Sequence, residues 1–132
     1  MDMTPEFMAL TGVLVLAIIQ VAWAASARTS ELGLKWNAGP RDGDAPPPGK
    51  LAGRLLRAQA NLFETLPIFA TLVIMSYVTG HDGSLTLIGT HLYFFGRLIY
   101  LPLYAFGVAW FRSLAWVVSL VGLLMVLAAL FV

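Results

Sequence analysis

Two stretches of this 132-residue chain carry no charged side chain, Phe7 to Ala27 and Ser113 to Val132. Each is about as long as the roughly 20 apolar residues that a helix needs to cross about 30 Å of hydrocarbon. Segments of this kind have few destinations in water, because the core of one small domain cannot cover them. The rest of the composition points the same way: 59% of residues are hydrophobic, 11% are charged, and mean hydropathy is +0.82. A soluble domain carries about a quarter charged residues. The lack of cysteine excludes a disulfide-stapled secreted scaffold, and the abundance of Leu, Val, Ala and aromatic residues excludes a disordered chain. A net charge of +1 offers no basic surface for nucleic acid.

Two further windows are interrupted. Leu51 to Thr79 contains Arg54, Arg57 and Glu64, and Leu85 to Phe106 contains Arg97. All four runs are long and continuous and lack the alternating polar face of a barrel strand, so they read as helices. The expectation is an all-α, integral membrane four-helix bundle in a single domain, 1–132, with helices at about 5–28, 51–79, 84–106 and 111–132. Ala25-Ser26-Ala27 resembles a signal cleavage site, but Asp2 and Glu6 replace the positive leader that a signal peptide needs, so the first run is expected to stay as a helix. Residues 29–50 form the one long loop. Gly39-Pro40-Arg41-Asp42-Gly43-Asp44 and Pro46-Pro47-Pro48-Gly49 predict an irregular, extended segment there.

Arg28, Lys35, Arg41, Lys50 and Arg54 lie in or beside this loop, and Arg112 follows the third connection. The opposite side has no Lys or Arg. By the positive-inside rule, the first and third loops face the cytoplasm and both termini lie outside. Trp23, Trp36, Trp110 and Trp116 fall in or near the cytoplasmic halves, as interfacial anchors do.

Charges inside hydrocarbon-length helices cost about 2.5 to 3.5 kcal/mol each on insertion scales unless they pair or face a wet cavity. At about 1.5 Å per residue, Glu64 and Arg97 lie at similar depths, which predicts an ion pair between them. Arg57, Asn61 and Glu64 follow i, i+4, i+7, with Arg54 one turn earlier, and Arg97, Tyr100 and Tyr104 follow i, i+3, i+7. Two polar stripes and Arg112 therefore converge on a pocket that opens to the cytoplasm. Each residue alone could glue helices together or snorkel to headgroups. As a set they carry surplus positive charge beside two phenols, which suits an anionic ligand.

The run Arg57-Ala58-Gln59-Ala60-Asn61-Leu62-Phe63-Glu64-Thr65-Leu66-Pro67 resembles the second-helix signature of the MAPEG family, membrane-associated proteins in eicosanoid and glutathione metabolism. Arg97-Leu98-Ile99-Tyr100-Leu101-Pro102-Leu103-Tyr104, followed by Arg112-Ser113, resembles the family's third-helix and fourth-helix pattern. The resemblance covers nearly the whole chain. It implies a homotrimer with glutathione as co-substrate at each subunit interface, open to the cytoplasm. Arg57, Asn61, Glu64, Arg97, Tyr100, Tyr104 and Arg112 would hold the tripeptide, and Gln59 and Arg28 would reach it from the neighbouring subunit. Glutathione has two carboxylates and one ammonium, so arginines and Glu64 are its complement.

For catalysis the resemblance points to Arg112, whose guanidinium would favour the thiolate, with Ser113 as a second hydrogen-bond donor. The equal alternative for Ser113 is an N-terminal cap on the last helix. Thr65 stands where leukotriene-forming members have tyrosine, and Tyr100 stands where prostaglandin E synthases have histidine, so neither specificity carries over. The long Gly-Pro-Arg-Asp loop looks like bacterial members, which implies a bacterial inner-membrane protein. The expected function is glutathione-dependent transfer or peroxide reduction on a hydrophobic small-molecule electrophile that arrives from the bilayer. The alternatives are a non-catalytic lipid-binding or scaffold member, and a small drug/proton exporter. An exporter would need a buried carboxylate in the first span, which offers only Gln20. His81 and His91 have no second ligand at metal spacing, so no metal site is expected.

Overall fold

The computed structural model describes residues 2–132, and these form helices and connections with no strand among the described residues. Helix α1 spans Pro5–Leu32, and Thr4 caps its start by accepting the Phe7 N–H at 3.2 Å. Proline at the first helical position costs nothing there, because that N–H has no helical partner in any case. Helix α1 stops at Gly33, whose φ of +88° suits glycine and few other residues. A short helix, α2, covers Leu34–Ala38. Helix α3 spans Lys50–Val78, α4 spans Ser84–Ala105 and α5 spans Ala109–Ala129.

The connection after α1 departs from the extended segment expected over 29–50. Helix α1 runs four residues beyond position 28, and α2 occupies part of the loop. The cause lies in the spacing of the breakers. Between Arg28 and Ala38 only Gly33 interrupts helix formation, and the Pro/Gly run begins at Gly39. The rest of the loop is tied back to α1: Arg28 pairs with Glu31 at 2.9 Å and donates to the Pro46 carbonyl, while the Gly49 N–H donates to Glu31 at 2.8 Å.

Helices α1, α3 and α5 are long and apolar enough to cross a membrane. Helix α4 is also long and carries a single charge, and Thr86, Thr90 and Arg97 on it are fully buried. Helix α4 lies along α5 on a seam of small residues. A Cβ on Gly89 would come within 2.6 Å of the Gly122 carbonyl, and one on Gly96 within 2.9 Å of Ser119. Such close backbone approach is how helices associate where apolar surface alone gives little preference. Helix α1 packs against α3 and α4.

The core divides into two clusters along the helices. One gathers Val13, Leu62, Phe69, Tyr93 and Val126. The other gathers Leu16, Ala24, Leu55, Ala58, Tyr100, Leu101 and Ala115, and Tyr100 from it lines the site described next.

Candidate functional site

Helix periodicity brings the two polar stripes together. On α3, Arg54, Arg57 and Asn61 recur on one side; on α4, Arg97, Tyr100 and Tyr104 do the same; Arg112 stands in the first turn of α5. Arg57 donates from Nε to the Tyr104 hydroxyl at 3.1 Å. The Arg112 guanidinium lies over the Tyr104 ring, 4.5 Å from its centroid. Tyr104 is thus held by one arginine at its hydroxyl and a second on its face, in the manner of a cation–π contact. The Tyr100 and Tyr104 rings are 5.5 Å apart and tilted by 56°.

Arg97 is 1% exposed. It donates from Nη1 to the Asn61 Oδ1 at 2.7 Å, and its guanidinium lies 4.3 Å from the centre of the Tyr100 ring. Its Nε and Nη2 are buried without a partner.

The expected ion pair between Glu64 and Arg97 does not form; Arg28–Glu31 is the only ion pair among the described residues. The reason is the direction of the Arg97 side chain. By stacking on Tyr100 it swings toward the C-terminal end of α4, about one turn from its own Cα, and so meets Asn61 instead of Glu64. Glu64 is exposed on the side of α3.

Two cavities flank Arg112. One, of about 390 Å³, is lined by Asn61, Tyr100, Arg112, Ser113, Trp116 and Val117. The other, of about 300 Å³, is lined by Arg54, Arg57, Tyr104, Gly107, Ala109 and Arg112. The second holds three guanidinium groups and no carboxylate among its lining residues. An arrangement of this kind attracts a carboxylate or another oxyanion, and arginine forks match such groups with two bonds at once.

Of the remaining sequence-derived candidates, Ser113 lies at the site, and Gln59 and Arg28 lie away from it. Ser113 reaches the cavity wall, but its hydroxyl donates to the Ala109 carbonyl at 3.2 Å. It is not the cap of α5, a position that Val108 takes. Gln59 is half-buried and lines neither cavity, being about 200° around α3 from Arg57. Arg28 is engaged within its own chain, with Glu31 and Pro46.

The sequence reading missed two features. Thr65 and Tyr93 hydrogen-bond through their hydroxyls at 2.7 Å, and Tyr93 stacks on Phe69 at 3.9 Å. Their signal was present, since Thr65 follows Asn61 by four residues and Tyr93 precedes Arg97 by four, which extends both stripes by one turn. The other is Gly107, which packs against Arg54. Among known protein families, the model of the MAPEG family matches residues 7–132. No curated protein and no solved structure matches the chain.

Proposed function

The chain belongs to the MAPEG family and is an integral membrane protein, and from that premise we propose that it is a glutathione-dependent membrane transferase or peroxidase acting on hydrophobic electrophiles. The observation that carries this reading is the pair of cavities joined at Arg112, one cationic and one lined by Trp116 and Val117. A tripeptide with two carboxylates and a reactive thiol needs both kinds of surface. Its carboxylates suit Arg57 and Arg112, and its sulfur suits the boundary between the cavities, where an apolar electrophile from the bilayer can meet it.

The chemistry asked of the protein is modest. A free thiol titrates near 8.5 and only the thiolate is a strong nucleophile, so a guanidinium that lowers this value by about two units supplies about 2.7 kcal/mol. Arg112 is the residue proposed for this, with Ser113 beside it. In a conjugation the thiol proton passes to solvent, the sulfur forms the new bond to the electrophilic carbon, and the leaving group departs with its electron pair.

The reading extends to assembly: a homotrimer of four-span protomers, with α4 crossing as the third span between α3 and α5 and with the connections after the first and third spans cytoplasmic in a bacterial inner membrane. Exposure on the single chain supports it. Arg57 and Glu64 are exposed on α3, a helix apolar enough to span the bilayer. Charged groups at that depth are stable only against a neighbour, a ligand or water. A second copy and the co-substrate would cover them, and Glu64 would meet the glutathione ammonium. Gln59 and Arg28 would have to act from a neighbouring copy. Three guanidinium groups suit an anionic lipid headgroup as well as a carboxylate, so glutathione binding itself separates this reading from a non-catalytic lipid-binding member. Calorimetry on the detergent-purified chain tests the reading; no heat of binding at millimolar glutathione would exclude it.

A further inference from the structure

Arg54 is absorbed neither by the apolar core nor by the contacts that surround Arg97. It stands on α3 one turn before Arg57, half-buried, and its Nη1 lies 3.5 Å from the Ala105 carbonyl. That carbonyl belongs to the last turn of α4, where unpaired carbonyls carry partial negative charge and a cation is favoured. The guanidinium also lies flat on Gly107. A Cβ there would come 2.8 Å from Nη2 and 2.9 Å from Cζ, and Gly107 has φ of +75°, which any larger residue would resist.

The turn under this guanidinium joins two residues of the site. The Gly107 N–H donates to the Tyr104 carbonyl at 3.1 Å and the Val108 N–H to the Leu103 carbonyl at 2.9 Å, closing α4; the Arg112 N–H then donates to the Val108 carbonyl at 3.2 Å, opening α5. Tyr104 and Arg112 stand on either side of the turn and meet over its top, ring to guanidinium, at 4.5 Å.

We propose that Arg54 is a positioning residue that clamps the α4–α5 turn and thereby fixes the Arg112 guanidinium where it can act on the substrate thiol. This rests on the glutathione reading for its effect on chemistry, but not for the clamp itself. The clamp depends on the planar fork of arginine, which spans the Ala105 carbonyl and the face of Gly107 together; a lysine in its place keeps the charge and loses the span.

The test uses the full chain in detergent, as wild type, Arg54→Lys and Arg54→Met, with two readouts. Amide hydrogen exchange over residues 105–109 reports the turn without any ligand. The pH dependence of thiolate absorbance with glutathione added reports Arg112. In both variants exchange in the turn should quicken about tenfold or more. The thiolate midpoint, read at saturating glutathione, should rise by about one pH unit, a tenfold loss in preference for the ionised form. Unchanged exchange in Arg54→Lys overturns the clamp. A wild-type pH profile in Arg54→Lys with a shifted one in Arg54→Met also overturns it, because the charge alone would then suffice. A loss of affinity well beyond threefold with no change in the turn would make Arg54 a ligand instead. If wild type gives no thiolate signal, the glutathione reading fails, and the exchange measurement still decides the clamp.

Discussion

Arg97 and Asn61 form the polar link between α3 and α4, with the guanidinium 2.7 Å from the amide oxygen and 1% exposed to its surroundings. Asn61 is the only hydrogen-bonding partner of Arg97 among the described residues, and the Arg97 Nε and Nη2 have none. A buried cation with so few partners depends heavily on each of them. Replacing Asn61 with Leu should therefore destabilise the protein by about 2 kcal/mol or more, since it leaves the buried guanidinium without its one acceptor. Thermal unfolding in detergent measures this, and an unchanged midpoint would mean that Arg97 finds another acceptor.

Glu64 should behave differently. It has no ion-pair partner within the chain and is exposed on α3. Glu64→Gln should leave the unfolding midpoint of the single chain nearly unchanged and weaken glutathione binding about tenfold or more, through loss of a charge-assisted contact with the ammonium. Paired unfolding and calorimetry separate the two effects. A large loss of stability with binding intact would return Glu64 to a structural role.

The α4–α5 seam gives a prediction that does not involve the ligand. Gly122 faces Gly89 and the Tyr93 N–H across a gap that leaves no room for a Cβ. Gly122→Val should force the helices apart and cost about 2 kcal/mol or more, as overpacking in a close interface does. An exposed control on the same helix, Leu124→Val, should fall within about 0.5 kcal/mol. Equal effects at the two positions would show that the seam is not tightly packed.

Thr65 and Tyr93 form a smaller, half-buried contact. Thr65→Val keeps the shape and removes the hydroxyl, and should cost about 1 kcal/mol. A stability rise would show that the pair is strained.

How much of this was legible in the sequence depends on the kind of information involved. Phe7 to Ala27 announces α1 because a predominantly apolar run of membrane-spanning length without a charge has one destination. The stripe of Arg57 and Asn61 was legible because helical periodicity fixes which residues share a face, whatever the side chains then do. The partner of Arg97 was not. Depth along a helix locates Cα atoms, whereas an arginine reaches a full turn in either direction, and stacking on Tyr100 decided which. The path of residues 29–50 was half legible: the prolines marked where helix must stop, but Glu31 accepting from Gly49 is a contact across the loop that no local signal contains. Gly107 belongs to the same class, since its importance comes from Arg54, which lies on another helix.

The central claim is that Arg112, stacked on Tyr104 between a cavity of three guanidinium groups and one walled partly by Trp116 and Val117, activates a glutathione thiol. Titration of thiolate absorbance with glutathione bound, comparing wild type with Arg112→Ala, tests it most directly. The account predicts a wild-type midpoint about two pH units below that of the free thiol, and a return toward the free value in Arg112→Ala with at least a tenfold loss of conjugation rate toward an aryl halide. The same midpoint and the same rate in both proteins would contradict it.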